Sequence, residues 1–312
     1  MSFKIVGIGE VLWDLLPAGP QLGGAPANFA CHARALGAAA CVATRVGDDH
    51  LGRLIRARFE ELGIADGTIQ VDDTAPTGTV SVALSDQGIP TYVIHENVAW
   101  DRLAVTPAAL DAVCKADAIC FGSLAQRGEI SRASIQRLVA AAPASSLRVF
   151  DINLRQKYFS REVIEQSLCL ANVLKLNDGE LPCLATLFDL SGSTQRQIEQ
   201  LARQFGLQLV ALTRGPAGSL LYRNGEWSDC PSVPIKVVDT VGAGDAFTAT
   251  MVMGLLHKID LDEINTLADE VARHVCSCVG ATPPLPKNIC DRVVARHSTS
   301  KPVSALAGAL RN

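Results

Sequence analysis

DTVGAGDAF, residues 239–247, leads directly into the apolar run AFTATMVMGLL, which predicts a buried helix. Two glycines, Gly242 and Gly244, precede an acid, Asp245. A glycine-rich turn at a helix N-terminus binds anions, because its free backbone N–H groups and the helix dipole both favour negative charge. An aspartate in that turn would repel an anion if charge were its only role. The segment therefore predicts that Asp245 acts as a base beside a bound phosphate.

Around this segment, apolar β-branched runs alternate with amphipathic helices over most of the 312 residues. Such alternation predicts a parallel sheet with helices on both faces, which is an α/β fold. The predicted strands are 4–11, 39–46, 116–123, 147–153, 172–177 and 207–214, and the predicted helices are 26–36, 51–62, 131–142, 161–170 and 194–205.

Two segments interrupt the alternation. Residues 77–85 and 90–97 have no helix between them and predict an antiparallel hairpin, with 69–71 as a candidate third strand. A flap of this kind, inserted into an α/β domain, often forms a lid. Residues 219–228 predict a second hairpin around Asn224-Gly225, a strong signal for a type I′ turn.

The composition narrows the class of protein. Hydrophobic residues make up 48% and charged residues 19% of the chain, and the net charge is −4. No block of Lys and Arg occurs, which argues against nucleic acid or an anionic membrane as the main partner. The apolar runs are shorter than the ~18 residues of a membrane span, and the N-terminus lacks the layout of a signal peptide. Ten scattered cysteines without a CxxC pair indicate reduced thiols, so we expect a cytoplasmic protein.

Several nucleotide and metal motifs are excluded. Gly47 and Gly52 have the spacing of a P-loop, but Arg53 follows where lysine is required. Gly7 and Gly9 after the first strand lack the third glycine of a dinucleotide fingerprint. The six histidines show no metal-ligand spacing. None of these nucleotide- or metal-binding signatures therefore identifies the function of the chain.

A second glycine motif lies near the N-terminus, in LGGAPANFA at residues 22–30. Gly23 and Gly24 precede a predicted helix and permit close approach of the backbone to a ligand, while Asn28 in its first turn can donate and accept hydrogen bonds. Asp14, just past the first strand, is an acceptor suited to sugar hydroxyls. The alternatives are an ordinary tight turn for the glycines and a surface acid for Asp14.

These motifs together resemble the two signatures of the PfkB (ribokinase-like) carbohydrate kinases, most closely the fructokinase-type branch. The family's order and approximate spacing are kept by GEVLWDLLP, GGAPANFA, RVGDDHLG, DINLR, LKLNDGE, LTRGPAG and DTVGAGDAF. The resemblance implies one ribokinase-like α/β/α domain over residues 1–312, with a mostly parallel central sheet. It also implies a small β-sheet lid, formed by about 12–22 and 68–100.

The resemblance also implies roles in phosphoryl transfer from ATP. Asp245 matches the base that takes the proton of the attacking sugar hydroxyl. The backbone N–H groups of Gly242, Ala243, Gly244 and Asp245 match the anion hole for the transferring γ-phosphoryl, in agreement with the need of this reaction for positioning and charge stabilisation. The alternative is a glycine turn with an N-capping aspartate.

Further matches concern the nucleotide and its Mg²⁺. Asn177 and Glu180 in LKLNDGE match the N-x-x-E element that organises Mg²⁺ and its waters near the ATP phosphates. Thr213, Gly215 and Gly218 in LTRGPAG match a segment beside the nucleotide. Without the resemblance, Glu180 is a helix-start acid and LTRGPAG is a strand that ends in a turn.

The resemblance implies two further assignments, for Arg155 and for a monovalent-cation site. Arg155 in DINLR follows a strand, and in fructokinase-type relatives the comparable arginine reaches toward substrate or phosphate; a structural salt bridge is the alternative. Asp239 and Thr240, with the loop around Gly280 and Ala281, resemble the monovalent-cation site of many family members, which suggests K⁺.

The expected function is therefore an ATP-dependent kinase acting on a primary sugar hydroxyl, with fructose giving fructose 6-phosphate. The substrate-binding set is Asp14, Gly23, Gly24, Asn28, Arg155 and Asp245. Glu96, Asn97 and Asp101 either add hydrogen bonds to the pocket or form a solvated lid edge. 2-Keto-3-deoxygluconate, ribose or a nucleoside remain alternative substrates, and a non-catalytic sugar-binding protein is the alternative function. An exposed lid favours a homodimer through its edge.

Overall fold

The computed structural model describes residues 2–16, 19–84 and 90–294, which form thirteen strands and ten α-helices. The strands are β1 (Lys4–Ile8), β2 (Leu12–Leu16), β3 (Gly19–Gly23), β4 (Ala39–Gly47), β5 (Ile69–Asp72), β6 (Gly78–Leu84), β7 (Pro90–Ile94), β8 (Ala118–Phe121), β9 (Leu147–Asp151), β10 (Val173–Asn177), β11 (Leu209–Thr213), β12 (Ser219–Arg223) and β13 (Glu226–Cys230). The helices are α1 (Ala25–Ala35), α2 (His50–Leu62), α3 (Pro107–Cys114), α4 (Glu129–Ala141), α5 (Arg161–Leu170), α6 (Leu181–Leu187), α7 (Thr194–Phe205), α8 (Ala243–Leu256), α9 (Leu261–Cys276) and α10 (Lys287–Val294).

Nine strands form the large sheet, in the order β13-β12-β11-β10-β9-β8-β1-β4-β5. The pairs from β5 to β11 are parallel, and β12 and β13 add an antiparallel hairpin at one edge. Asn224 and Gly225 both have positive φ, at 51° and 93°, as a type I′ turn requires. The mostly parallel sheet and the hairpin at 219–228 are thus confirmed.

Side chains of the central strands alternate between two apolar cores on opposite faces of the sheet. In β1, Val6 and Ile8 belong to the core that includes residues of α3 to α7, whereas Ile5 belongs to the core built with α1, α8 and α9. Continuous apolar strands are what a parallel sheet buried on both faces requires. The predicted α/β fold with three layers is confirmed.

A separate four-stranded sheet has the order β3-β2-β6-β7. Its β6 and β7 pair antiparallel, which confirms the hairpin predicted at 77–85 and 90–97; residues 17–18 and 85–89 lie outside the described part. This sheet, formed by β2, β3, β6 and β7, is called the lid below. The expected third strand at 69–71 is wrong as a part of the lid, because β5 pairs in parallel with β4 in the large sheet. The order β4, α2, β5 is a parallel crossover unit, which returns a strand to the sheet it left.

The chain order explains where a ligand can bind. After β1 the parallel strands continue through β4 to β5 on one side of the sheet, and then from β8 to β11 on the other side. In doubly wound sheets, such a reversal opens a crevice at the carboxyl ends of the strands. Strand β1 ends at Ile8, whereas the sequence predicted a strand as far as residue 11. Asp14 lies beyond it, on strand β2 of the lid. The lid strands β2 and β3 therefore follow directly on the carboxyl end of β1.

Within the described residues, no helix has the length and apolar character needed to cross a bilayer. All ten cysteines lie in this part and are free thiols.

Candidate active site

Helix α8 begins at the glycine-rich turn with an open N-terminus. Gly242 is its N-cap, has a φ of 79°, and makes no side-chain cap. A Cβ on Gly242 would lie 2.2 Å from the carbonyl oxygen of Ala281, so both the conformation and the packing require glycine. The amides of the first helical turn have no carbonyl partner within a helix. The amide of Ala243 donates to the carbonyl of Thr240 at 3.4 Å, so the turn offers chiefly the N–H groups of Gly242, Gly244 and Asp245 to a ligand.

Asp245 lies in this first turn and is held by the second glycine motif. The Nδ2 amide of Asn28, buried in α1, donates a hydrogen bond of 2.8 Å to Oδ2 of Asp245, across 217 residues of sequence. Helix α1 begins after Gly24, whose φ is 107° and whose missing Cβ leaves room for the carbonyl of Glu10. The structure thus brings together the residues that the two motifs singled out.

The surroundings of Asp245 raise its pKa from 3.8 to about 7. Burial is the largest cause, and the negative charge of Asp151 adds to it. The hydrogen bond from Asn28 and the charges of Lys175 and Arg155 act in the opposite direction. A carboxyl group with a pKa near neutrality suits a general base, since it can exchange a proton at the pH of the cell.

A buried ion pair, which sequence reasoning missed, lies directly behind the glycine turn. The Nζ of Lys175 is 3.1 Å from Oδ1 of Asp151, with side chains only 7% and 4% exposed. The hydroxyl of Thr248 donates to Oδ2 of Asp151 at 2.9 Å and also lies 2.9 Å from the carbonyl of Gly244. A Cβ on Gly244 would approach Lys175 Nζ to 2.9 Å. The sequence signal was a lysine within the otherwise apolar, buried stretch VLKL of β10.

Two further carboxyl groups lie on the side of the lid. The pKa of Asp14 is raised to about 6 by burial, which Arg155 opposes, and a Cβ on Gly23 would lie 2.5 Å from its Oδ2. Glu10, also missed, is buried and accepts a hydrogen bond of 3.3 Å from the amide of Ala25. Its other oxygen has no partner among the described residues, and burial raises its pKa to about 7. Asp245 also acts to raise the pKa of Glu10, and a group of carboxyls with raised pKa values that influence one another is typical of a functional site.

Arg155 is an exposed cation near these acids. Its Nη1 donates only to the carbonyl of Leu154, at 3.3 Å, and the described residues offer it no ion pair at contact distance. Its charge opposes the rise in the pKa of Asp14 and of Asp245 without direct contact. The alternative of a structural salt bridge is therefore not realised in this part of the chain.

The loop that carries Arg155 is attached to the lid side. Gln156 donates to the carbonyl of Tyr92 on β7 at 2.7 Å, and the Tyr158 hydroxyl donates to Glu96 at 2.7 Å. Asp101 pairs with Arg127 at 2.8 Å. The carboxylates of Glu96 and Asp101 are thus already partnered, and Asn97 is exposed.

Asn177 and Glu180 brace each other where β10 ends. The two oxygens of the Glu180 carboxylate accept hydrogen bonds from the amides of Leu154 and Asn177, both at 2.8 Å. The side-chain oxygen of Asn177 in turn accepts from the amide of Glu180 at 3.0 Å. Burial raises the pKa of Glu180, and the nearby charge of Lys175 opposes that rise. The pair ties the loop after β9 to the end of β10.

The remaining predicted residues lie at the same edge. Thr213 is the register partner of Asn177. Gly215 is exposed, with no atom within 4 Å of its Cβ position, so a ligand has access to it. Gly218 is different, because its Cβ position is filled by the backbone of Cys230, Pro231 and Ser232.

Asp239 braces the loop behind the glycine turn, while Thr240 is exposed beside it. The two carboxylate oxygens of Asp239 accept hydrogen bonds from the amides of Val241 at 3.0 Å and Gly280 at 3.1 Å. The predicted cation-site residues therefore lie together, with the Asp239 carboxylate already bound to backbone N–H groups.

Comparison with known proteins supports this picture. The model of the pfkB family carbohydrate kinases matches residues 20–288. The fructokinase of Klebsiella pneumoniae is 30% identical over 90% of this chain and 94% of its own. A sugar kinase of Pyrococcus horikoshii, solved in complex with ATP, is 28% identical with a TM-score of 0.76, covering 93% of this chain and all of that one. A ribokinase II structure from Escherichia coli with ATP and Mg²⁺ shares the fold, with a TM-score of 0.81 at 21% identity over 95% of this chain and all of that one. The chain therefore belongs to the pfkB family of carbohydrate kinases, phosphotransferases that act on a sugar hydroxyl.

Proposed function

We propose that this enzyme transfers the γ-phosphoryl group of ATP to the primary hydroxyl of fructose, giving fructose 6-phosphate. The observation that carries the proposal is the place of Asp245 in the first turn of α8, beside the amides of the glycine turn, where Asn28 holds its carboxyl group and burial raises its pKa to about 7. A base and an anion site within one helical turn are what phosphoryl transfer to a hydroxyl requires. The identity to a fructokinase supports fructose as the acceptor.

In the proposed mechanism, the ionised carboxylate of Asp245 accepts the proton of the sugar hydroxyl as that oxygen attacks the γ-phosphorus. The bond from the γ-phosphorus to the bridging oxygen breaks, and ADP leaves with the electron pair. Asn28 holds one carboxylate oxygen and so orients the other toward the crevice. The amides at 242–245 stabilise charge on the transferring group, and the Lys175 cation behind Gly244 adds a positive potential. Asp14, Gly23, Gly24 and Arg155 are proposed to bind the sugar.

ATP is proposed to bind along Thr213, Gly215 and Gly218, with its phosphates directed toward Gly242 and Gly244. Mg²⁺, when bound, would neutralise phosphate charge. Glu180 and Asn177 fit an outer role toward this ion, because both Glu180 oxygens already accept backbone N–H groups while a carboxylate keeps further lone pairs for water.

Two further features are proposals of the same kind. Asp239 and Thr240 are proposed to form part of a K⁺ site with the carbonyls of the loop that Asp239 braces. The lid carries the exposed apolar residues Leu15, Tyr92 and Val93, which supports a homodimer formed through this sheet. Light scattering on the purified protein tests the dimer. A reaction that consumes ATP fits a cytoplasmic location.

The test is a coupled assay of ADP release with Mg²⁺, with and without K⁺. The acceptors are hexoses, pentoses, 2-keto-3-deoxygluconate and nucleosides. We expect turnover with fructose, and loss of at least about a thousandfold in Asp245→Asn because the base is removed. Asp262→Asn is the matched control, since Asp262 is an exposed acid in the first turn of α9. A wild-type protein without activity on any acceptor would contradict the kinase proposal, and activity on another acceptor alone would contradict fructose.

A further inference from the structure

Helix α1 carries two buried polar side chains that lie one helical turn apart. Asn28 is 3% exposed and His32 is 1% exposed, and both lie in the stretch 26–33 of α1, in which every residue is buried. Asn28 donates to Asp245, as described above. His32 lies four residues further on, so it projects from the same face toward the next part of the site.

His32 holds a loop that is remote in sequence. Its Nε2 lies 2.9 Å from the carbonyl oxygen of Ala281, and both residues are buried. A carbonyl oxygen only accepts hydrogen bonds, so Nε2 carries the proton and donates it. Burial, the largest cause, lowers the pKa of His32 to about 4, so the ring is neutral at physiological pH.

Ala281 in turn packs against the glycine turn. The Cβ position of Gly242 is 2.2 Å from the oxygen and 2.7 Å from the Cα of Ala281, so this backbone lies in contact with the Gly242 Cα. The neighbouring amide of Gly280 donates to Asp239 at 3.1 Å. The loop at 280–281 is thus fixed from two sides, by Asp239 and by His32, and it forms the rear wall of the turn.

We propose that His32 is a positioning residue for phosphoryl transfer, which acts by holding Ala281 behind Gly242. Through Asn28 and His32, one rigid helix fixes both the base and the turn whose amides serve the phosphoryl group. This inference rests on the proposed function of those amides. Alignment matters because a displacement of about 1 Å in such a site costs roughly a hundredfold in rate.

A buried aromatic ring can also serve only to fill space, and variants separate the two roles. His32→Gln keeps an N–H donor near the position of Nε2. His32→Asn has the same polarity, but its side chain is one bond shorter and does not reach Ala281. His32→Leu fills much of the volume without a donor. If His32 positions the loop, only the glutamine variant should keep its kcat. If His32 only fills space, the leucine variant should keep its kcat at least as well as the glutamine variant.

The experiment measures kcat and the KM for the sugar in the three variants, with His50→Leu as a control at an exposed histidine in α2. We expect kcat to fall tenfold to about a hundredfold in the asparagine and leucine variants and less than about threefold in the glutamine variant, with sugar KM nearly constant throughout. Hydrogen exchange should accelerate at 240–246 and 280–282 in the asparagine and leucine variants only.

Equal losses of kcat with asparagine and glutamine, or full activity with leucine, would overturn the proposal. Should the leucine variant not fold, the asparagine and glutamine pair decides, because both are polar and close in size. If the wild type proves inactive on every acceptor, the proposed function fails, and hydrogen exchange still tests whether His32 fixes the loop. The two failures are therefore distinguishable.

Discussion

Asp245→Asn is expected to abolish activity and at the same time to stabilise the folded protein at alkaline pH. The folded state raises the pKa of Asp245 from 3.8 to about 7, chiefly through burial and then through Asp151. The folded chain therefore binds this proton more tightly than the unfolded chain. The resulting stability is fully present below about pH 4 and is lost as the pH rises through about 7. Asparagine carries no charge at any pH, and its carbonyl oxygen still accepts the hydrogen bond from Asn28.

The magnitude follows from the size of the pKa change. At ~1.4 kcal/mol per pH unit, a rise from 3.8 to about 7 corresponds to roughly 4 kcal/mol at pH 8. A large part of this penalty develops between pH 5 and pH 7. Relative to wild type, the variant should therefore gain roughly 2.5 kcal/mol in its free energy of unfolding between pH 5 and pH 8.

Urea unfolding of both proteins at pH 5 and pH 8 measures this difference. Asp262→Asn removes an exposed carboxylate and should differ from wild type by less than about 0.5 kcal/mol at either pH. The reasoning is refuted if Asp245→Asn is less stable than wild type at pH 8, or if its advantage is the same at both pH values. Such a result would show that the carboxyl group ionises at its ordinary pKa.

Three other predictions follow from the same network. Lys175→Met leaves the buried Asp151 without its ion-pair partner and should lower the free energy of unfolding by about 3–5 kcal/mol. A second change, Asp151→Asn, should restore most of this loss. Urea unfolding of the single and double variants measures both effects, and a single variant as stable as wild type would contradict a buried ion pair. Gly242→Ala should lose at least about a hundredfold in kcat because its methyl group meets the loop behind the turn, whereas Gly225→Ala, which has a similar positive φ and open space around it, should keep full activity. In the wild type, kcat/KM should rise with pH up to about 7 and then level off as Asp245 loses its proton, and a flat profile from pH 5 to pH 8 would argue against this base.

The architecture was largely predictable from the sequence, because the alternation of strands and helices is a local property. The helices at 161–170 and 194–205 have the predicted bounds, and the other three differ by at most two residues at either end. The one misplaced strand, β5, follows helix α2 directly. The alternation rule, applied consistently, assigns it to the large sheet beside β4.

The candidate site was predictable where a motif carries its residues, and not where its partners are remote or belong to the backbone. Asn28 and Asp245 were each singled out, although no pattern could give the bond between them. Lys175 and Asp151 lie in the motifs LKLNDGE and DINLR, but no pattern pairs two charges that are remote in sequence, although burying a lysine requires a partner such as Asp151. The partners of the Glu180 carboxylate are two backbone amides, which no sequence pattern specifies.

The choice of sugar has a different physical basis from the choice of reaction. The groups around Asp245, on α1, α8 and the ends of β9 and β10, are fixed by buried hydrogen bonds and one buried ion pair. Arg155, by contrast, is exposed, and its loop is joined to lid strand β7 through Gln156. A displacement of the lid therefore moves the cation that opposes the raised pKa of Asp14 and Asp245. On the roles proposed for Arg155 and Asp245, acceptor contact, lid position and the charge state of the base are thereby linked, so we expect the lid, and not the glycine-rich signature, to select the sugar.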